Sequence, residues 1–432
     1  MGICETLRKR IQPLRAALKV YPGLWEVFQQ CFMNTVETTI QQSENDTFII
    51  TGDIHAMWLR DSTAQVLHYV RFSDDAEIAW MVEGLIARQV ECILMDPYAN
   101  AFKAEPSDFR PFEDEPVPSD CVWERKYEID SLCYPLWLAE RYWMRTGNTG
   151  FLTSRFHEAM LRIIQVFRIE QRHEQSYYRF ERAHCPQSDT LTREGRGEPV
   201  AYTGMTWSGF RPSDDACRYH YLIPANLFAA RVLKSAEKLA AHLQDAGLAR
   251  EACVLRKEIE QGVAQYGIWK HPKFGAIYAY EVDGFGNANL MDDANVPSLL
   301  SLPYLEVCLP DDAVYRNTRA FVLSRENPFF YKGKFAEGIG SPHTPKGYIW
   351  PIALCMQAMT STSTEEKAVI LNTLMRTHAG TRMMHESFDP KDPTKYTRPW
   401  FAWANSIFGE MILRMNENRS LETVIAQAKA ML

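Results

Sequence analysis

"PANLFAARVLKSAEKLAAHLQ" (224–244) and "REACVLRKEIEQGVAQY" (250–266) decide the fold class. Each repeats apolar residues at three- and four-residue spacing, the period of a helix that buries one face. Pro224 suits a first turn, where its missing N–H leaves no bond unmade. Gly247 is expected to close the first helix before the second begins. Two amphipathic helices so close together make an antiparallel hairpin.

The same period recurs outward in both directions. It predicts helices over 24–40, 76–94, 130–147 and 156–171, then over 313–324, 348–359, 363–378 and 400–416. Shorter candidates at 62–72 and 296–309 bring the count to about a dozen. Strand signal is confined to "TFIIT" (47–51) and "AIYAYEV" (276–282). Connections alternate short and long, and the long ones (99–121, 184–220, 326–347) carry too many aromatic residues for disorder. The pattern implies an all-α ring of helical hairpins with long loops on one face and minor β-strands. An α-solenoid would show a repeat period, and none is present. No stretch reads as a linker, so residues 1–432 are expected to form a single domain.

Composition narrows the function. Of 432 residues 46% are hydrophobic and 23% charged, and the net charge of −7 is spread along the chain. There is no basic stripe for nucleic acid and no polybasic membrane anchor. No apolar run approaches the ~20 residues that span a bilayer. The N-terminal stretch lacks the apolar core of a secretory signal, so a cytoplasmic location is expected. The ten cysteines form no CxxC pair and are expected to be reduced. No feature specifies an oligomeric state.

Four stretches concentrate chemistry. "TGDIHAMWLRDS" (51–62) places Asp53, His55, Trp58, Arg60 and Asp61 within nine residues. A helix cap at Asp61–Ser62 accounts for one of them. Charged donors and acceptors beside a flat indole suit a sugar, which offers hydroxyls and an apolar C–H face. "GMTWSGFRPSDDAC" (204–217) sets Arg211 and the pair Asp214–Asp215 in an aromatic loop, where burial would raise one carboxyl toward a general acid's range. "GTRMMHESFDPKD" (380–392) offers Glu386 shortly before Trp400, Trp403 and Asn405. "WERKYEIDS" (123–131), "MDDANVPS" (291–298) and "GIGSPHT" (338–344) put polar residues at helix entries, where Asp130, Asp293 and Ser341 could equally be caps. Zinc spacings, nucleophile elbows and phosphate-binding loops are absent, so no metal and no cofactor are expected.

Eight blocks, "TGDIHAMWLRDSTAQ", "DPYANAF", "WERKYEIDSLCYPL", "TGMTWSGFRPSDDAC", "YLIPANLFA", "EVDGFGNANLMDDANVPSLL", "YIWPIAL" and "MHESFDPKDPTKYTRPWFAWAN", together resemble glycoside hydrolase family 125 from about residue 20 to 415. The resemblance implies an (α/α)6 barrel and an exo-acting α-mannosidase with a preference for α-1,6 linkages. It also implies a metal-independent, inverting mechanism. A mannose-containing oligosaccharide is then the substrate. Block matching puts the family's acid on Asp214 and its base on Glu386; the residues alone leave Asp214 and Asp215 equivalent. Asp53, Trp58, Arg60 and Asp61 would lie against the terminal mannose. Glu124, Arg125, Arg211, Asp215, Asp293, His343 and Trp403 would contribute further to the pocket. Another (α/α)6 exo-glycosidase such as a glucosidase, or a non-catalytic mannoside-binding protein, are the alternatives. Segment 103–120 matches nothing in the family pattern, which leaves the leaving-group side open.

Overall fold

The hairpin that opens the sequence argument forms, but its turn is made differently. In the computed structural model, which describes residues 2–43 and 46–432, its helices run Ile223–His242 and Ala246–Gly262. Gly247 sits inside the second helix. Gln244 turns the chain with φ 60°, and Asp245 caps the next helix by accepting from the Leu248 N–H at 2.9 Å. The aspartate satisfies an orphan helix N–H directly, which a glycine cannot do, and this sets the boundary.

Helices of eight residues or more, in chain order among the described residues, are α1 (Ile3–Ile11), α2 (Leu24–Thr38), α3 (Leu59–Val66), α4 (Ala76–Met95), α5 (Ile129–Thr146), α6 (Ser154–Glu170) and α7 (Ile223–His242). There follow α8 (Ala246–Gly262), α9 (Ala313–Val322), α10 (Pro351–Met359), α11 (Thr364–Thr377), α12 (Ala402–Glu417) and α13 (Leu421–Ala430). An inner row runs α10–α12–α3–α5–α7, each helix packed on the next. Outside it α2 packs on α12, α4 on α5, α8 on α7 and α11 on α10. Burial follows the row: α12 is buried without a break from Ala402 to Leu413, whereas α8 buries only a stripe through Leu248, Ala252, Leu255 and Ile259. A helix apolar all round belongs to the interior, and one with a single stripe belongs outside.

The helix expected over 296–309 does not form. The chain there is a run of turns, although Val296, Leu299, Leu300, Leu302 and Leu305 are buried as that pattern required. Two local features break the helix. Pro303 brings no N–H, and the Asp292 carboxylate takes the N–H groups of Leu299 (2.8 Å) and Leu300 (3.0 Å).

Strands are short. β1 (Met57–Trp58), β2 (Ala101–Phe102) and β3 (Val122–Glu124) make an antiparallel sheet, and β4 (Ser387–Asp389) pairs with β5 (Asp392–Thr397). The two expected strands exist as parts of separate hairpins: Asp46–Ile49 pairs with Ile40–Ser43, and Gly275–Tyr278 with Ile268–His271. All ten cysteines are free, and no helix among the described residues is long and apolar enough to cross a membrane.

One stitch joins the two ends of the chain. Ala402 N–H donates to Thr51 O at 3.0 Å, and Asp53 N–H to Trp400 O at 3.3 Å. Gly52 between them has φ 127°, and a Cβ there would lie 2.5 Å from Trp400 O. Gly52→Ala is therefore expected to destabilise the protein by about 1–3 kcal/mol through backbone strain, before any clash is counted. Urea unfolding checks this, and an unchanged midpoint would contradict the stitch.

Candidate active site

Three aromatic side chains that line one cavity occupy the residue just before an inner helix: Trp58 precedes α3, Trp350 precedes α10 and Phe401 precedes α12. The N-terminal ends of these helices therefore meet at the cavity, with the partial positive charge such ends carry. The cavity measures about 370 Å³ and is also lined by Arg60, Asp61, Asp214, His343, Glu386 and Arg398. A larger groove of about 1240 Å³ lies between α4 and α6. Its carboxylates are already engaged, Asp46 by Arg88 and Glu91 by Arg155, so the chemistry belongs to the smaller cavity.

Arg60 organises one wall. Its side chain is 3% exposed, and four carboxylates surround the guanidinium. They are Glu128 at 2.7 Å, Asp130 at 3.1 Å, Asp61 at 3.4 Å and Asp214 at 3.6 Å. The helix-cap readings of Asp61 and Asp130 fail here. Both lie within the first turn of their helices, and both are spent on Arg60. Asp214 is held from two more sides. Asn100 Nδ2 donates to its Oδ1 at 3.2 Å, and Lys126 Nζ to its backbone carbonyl at 2.8 Å. Its φ of 66° is left-handed, which aspartate tolerates better than most residues. Neither Asp214 nor Asp215 caps the following helix, which begins only at Ile223.

The shift at Asp214 runs opposite to the direction expected from the sequence. Burial favours the neutral form of Asp214, as expected, but Arg60, Lys126 and His343 outweigh it and hold the carboxyl below its ordinary range. The raised group is Glu128. Burial pushes it well above the usual carboxylate range, and its carboxyl is in hydrogen-bonding contact with that of Asp214. One oxygen of Glu128 accepts from Arg60 and from Ser131, and the other meets no donor. Two carboxyl groups in contact are stable only with a proton between them. Burial also raises Asp61, to about 6.

The second wall carries Glu386. It directly precedes β4, which is fixed by the bridge between Ile349 and Phe388. Asn405 clamps the approach, accepting from the Met384 N–H at 2.9 Å. This explains the asparagine in the tryptophan cluster. Arg398 Nη1 lies 3.6 Å from Glu386, and its Nε donates to Asp53 at 3.0 Å. The Arg398 guanidinium lies over the Phe401 ring at 4.5 Å, and the Arg60 guanidinium over Trp403 at 5.8 Å.

His343 lies beside both carboxylates. Burial disfavours its charge, but a 3.2 Å contact with Asp215, together with Asp214 and Glu386, raises its pKa to about 9. The stability this brings is complete below the unfolded value of 6.5 and is lost as pH climbs through 9. The ring is expected to remain an imidazolium near neutral pH. A nitrogen-shift titration with its midpoint at the unperturbed value would refute this.

The expected residues thus fall into two groups. Trp58, Arg60, Asp61, Asp214, His343, Glu386 and Trp403 line the cavity. The others lie outside its lining. Asp53 reaches it through Arg398. Asp215 reaches it through His343, and Asp293 through Ser213, whose Oγ donates to it at 2.9 Å. Glu124 is consumed by Arg182 and Asn100, Arg125 by Asp96, and Arg211 by Glu281 in a two-bond fork. His55 does not line the cavity either. Arg398, Glu128, Asn295 and Trp350 were not singled out in the sequence.

Several cavity-wall atoms suit a ligand rich in hydroxyls. The indole N–H groups of Trp58 and Trp403 are buried and make no hydrogen bond to the protein. Donors and acceptors interleaved with indole faces match the two surfaces of a pyranose.

Comparison with known proteins identifies the family. Residues 22–413 match the family model described as metal-independent alpha-mannosidase (GH125). A protein of Schizosaccharomyces pombe, "Meiotically up-regulated gene 157 protein", is 41% identical over 424 residues, covering 92% of this chain and 83% of that one. A solved metal-independent α-mannosidase of Streptococcus pneumoniae, in a non-productive complex with α-1,6-mannobiose, is 44% identical. It superimposes with a TM-score of 0.93 over 96% of this chain and 98% of its own. A bacterial glucoamylase complexed with acarbose shares the fold at 11% identity (TM-score 0.55, 87% of this chain and 51% of that one). With its carboxylates and indoles gathered in one small cavity, this chain belongs to the GH125 family of metal-independent α-mannosidases.

Proposed function

We propose that this protein is an exo-acting, inverting α-mannosidase that removes the terminal non-reducing mannose from α-1,6-linked glycans, on a single (α/α)6 barrel. The observation that carries the reading is the cavity itself. It is small, and Asp214 and Glu386 line it together with the indoles of Trp58 and Trp403, which suits one sugar ring between two carboxyl groups. The α-1,6-mannobiose held by the Streptococcus pneumoniae relative supports the linkage.

In the proposed reaction Asp214 protonates the glycosidic oxygen while Glu386 takes a proton from the attacking water. An inverting pair needs room for that water, roughly 6.5–9.5 Å between carboxyl groups. Glu128 keeps a proton at Asp214 where the cations beside it would otherwise strip it. The Glu386 carboxylate on the cavity wall favours the positive charge that develops on the sugar ring. Arg398 fixes the Glu386 carboxylate, and Trp58 and Trp403 offer N–H groups to the sugar hydroxyls. No step calls for a metal.

The test is release of mannose from a panel of mannobioses and glucobioses with and without EDTA, followed by NMR. The α-1,6-mannobiose is expected to be cleaved fastest, indifferent to chelator, with β-mannose formed first. Preferential glucoside cleavage, or α-mannose as the first product, would overturn the reading.

A further inference from the structure

On the exo-acting reading the cavity takes one terminal ring, so the rest of a glycan must emerge from it, and the side on which it emerges follows from the chemistry. A general acid acts on the leaving-group oxygen, so the leaving group lies beside Asp214, away from the water that Glu386 activates. The segment that holds Asp214 is 100–126, through Asn100 and Lys126. Within it, half-buried Trp123 packs with Ile54 against a small apolar cluster of Ala56, Trp58 and Ala101, and Ile54 and Trp58 line the cavity. Phe109 meets Trp123 at a ring separation of 5.8 Å, and it is 57% exposed. An apolar track thus leads from the cavity wall, past Trp123, to an exposed ring.

The loop is built to present that ring. Lys103 Nζ, on a buried residue, donates to the carbonyls of Ser107 (2.7 Å) and Phe109 (2.6 Å). Arg110 Nη1 also donates to Ser107 O at 2.8 Å, and Ser107 N–H to Asp120 O at 3.0 Å. An exposed phenylalanine on a freely moving loop would need no such pinning; here the backbone beneath the ring is held by a buried cation. This is the same segment that departs from the family pattern in sequence.

We infer that Trp123 and Phe109 form a stacking platform for the second and third sugar rings of the substrate, on the leaving-group side of the scissile bond. The inference rests on the mannosidase reading and adds the length and identity of the leaving group as something the protein recognises. Aromatic faces suit this task because a pyranose presents an apolar C–H face, whereas charged groups would favour one hydroxyl pattern over another.

The test compares Phe109→Ala and Phe109→Trp with the unaltered protein on α-mannosyl fluoride, α-1,6-mannobiose and α-1,6-mannotriose. Phe109→Ala is expected to raise KM for mannotriose about fivefold to tenfold, the scale of one aromatic contact, with kcat unchanged. The fluoride, whose leaving group cannot reach the platform, should be hydrolysed as before, and Phe109→Trp should restore the low KM. Trp123→Leu is expected to raise KM for the mannobiose as well. An unchanged KM for mannotriose in Phe109→Ala would overturn the platform and leave the mannosidase reading standing. So would an equal loss on the fluoride, which would mean a structural role. Failure of the unaltered protein to cleave any of the three would overturn both.

Discussion

Asp214→Asn is expected to lower kcat on α-1,6-mannobiose about 10²–10⁴-fold, the range a positioned general acid contributes. The asparagine keeps the shape and the Asn100 contact but cannot deliver a proton. Because fluoride departs without one, α-mannosyl fluoride should retain most of its rate, and this contrast separates a lost acid from a damaged fold. Asp214 keeping substantial activity as asparagine would move the acid to Asp215, which is buried against His343 and does not line the cavity. Glu128→Gln gives the companion result. Glu128 has a raised pKa, so its proton is held at the pair to higher pH than a free carboxyl allows, and is lost as pH rises through that value. With glutamine in its place Asp214 titrates alone, held low by Arg60, Lys126 and His343. The loss of activity with rising pH should therefore begin at lower pH in Glu128→Gln. Rates at several pH values on the mannobiose decide it, and an unshifted profile would sink the shared-proton account.

Arg60→Met should cost about 3–5 kcal/mol of stability near neutral pH, the usual result of removing one partner from a buried ionic cluster. Four carboxylates lie within 3.6 Å of the guanidinium, and without it they face one another in a desolvated wall. The sign with pH is fixed. Carboxyl groups whose folded pKa is raised destabilise the folded state above that pKa, and the penalty fades as pH falls and they take up protons. With Asp61 near 6 and Glu128 raised even in the intact protein, the deficit should shrink between about pH 7.5 and pH 5.5. Urea unfolding at the two pH values measures it, and a deficit that grows on acidification would contradict the cluster. Lysine is a poor substitute, since a single ammonium cannot reach around as the planar fork does.

How much of this was legible in the sequence depended on how local each cause is. Helical hairpins are local: the apolar period needs only its own twenty residues, and α4 to α8 formed close to where it predicted them. The failure at 296–309 was not a failure of pattern, since the apolar positions are buried, but Asp292 intervenes from outside the segment. The Gly247 error was a contest between two valid signals, which Asp245 won. In the site, the crowding of charge at 53–61 was visible because the residues adjoin in sequence. Arg398 was not, because one arginine before a proline looks like any surface residue until Asp53 and Glu386 are placed beside it. Glu128 stood inside a stretch already marked as polar. Its raised pKa comes from burial and from an aspartate 86 positions later, which no local reading contains. That Arg125 and Arg211 pair with Asp96 and Glu281 outside the cavity lining was hidden for the same reason, as those partners are equally remote.

The stitch at Gly52 also sets when this catalyst can exist. Asp53 and Arg398 lie 345 positions apart, and the acid's wall is complete well before the base's. A ribosome adding about 5–20 residues per second needs on the order of tens of seconds to cover that interval. Throughout it the early edge at residues 51–53 has nothing to pair with, and Glu386 and Arg398 have not been made. The growing chain is therefore inert toward the glycans around it until its last inner helix docks.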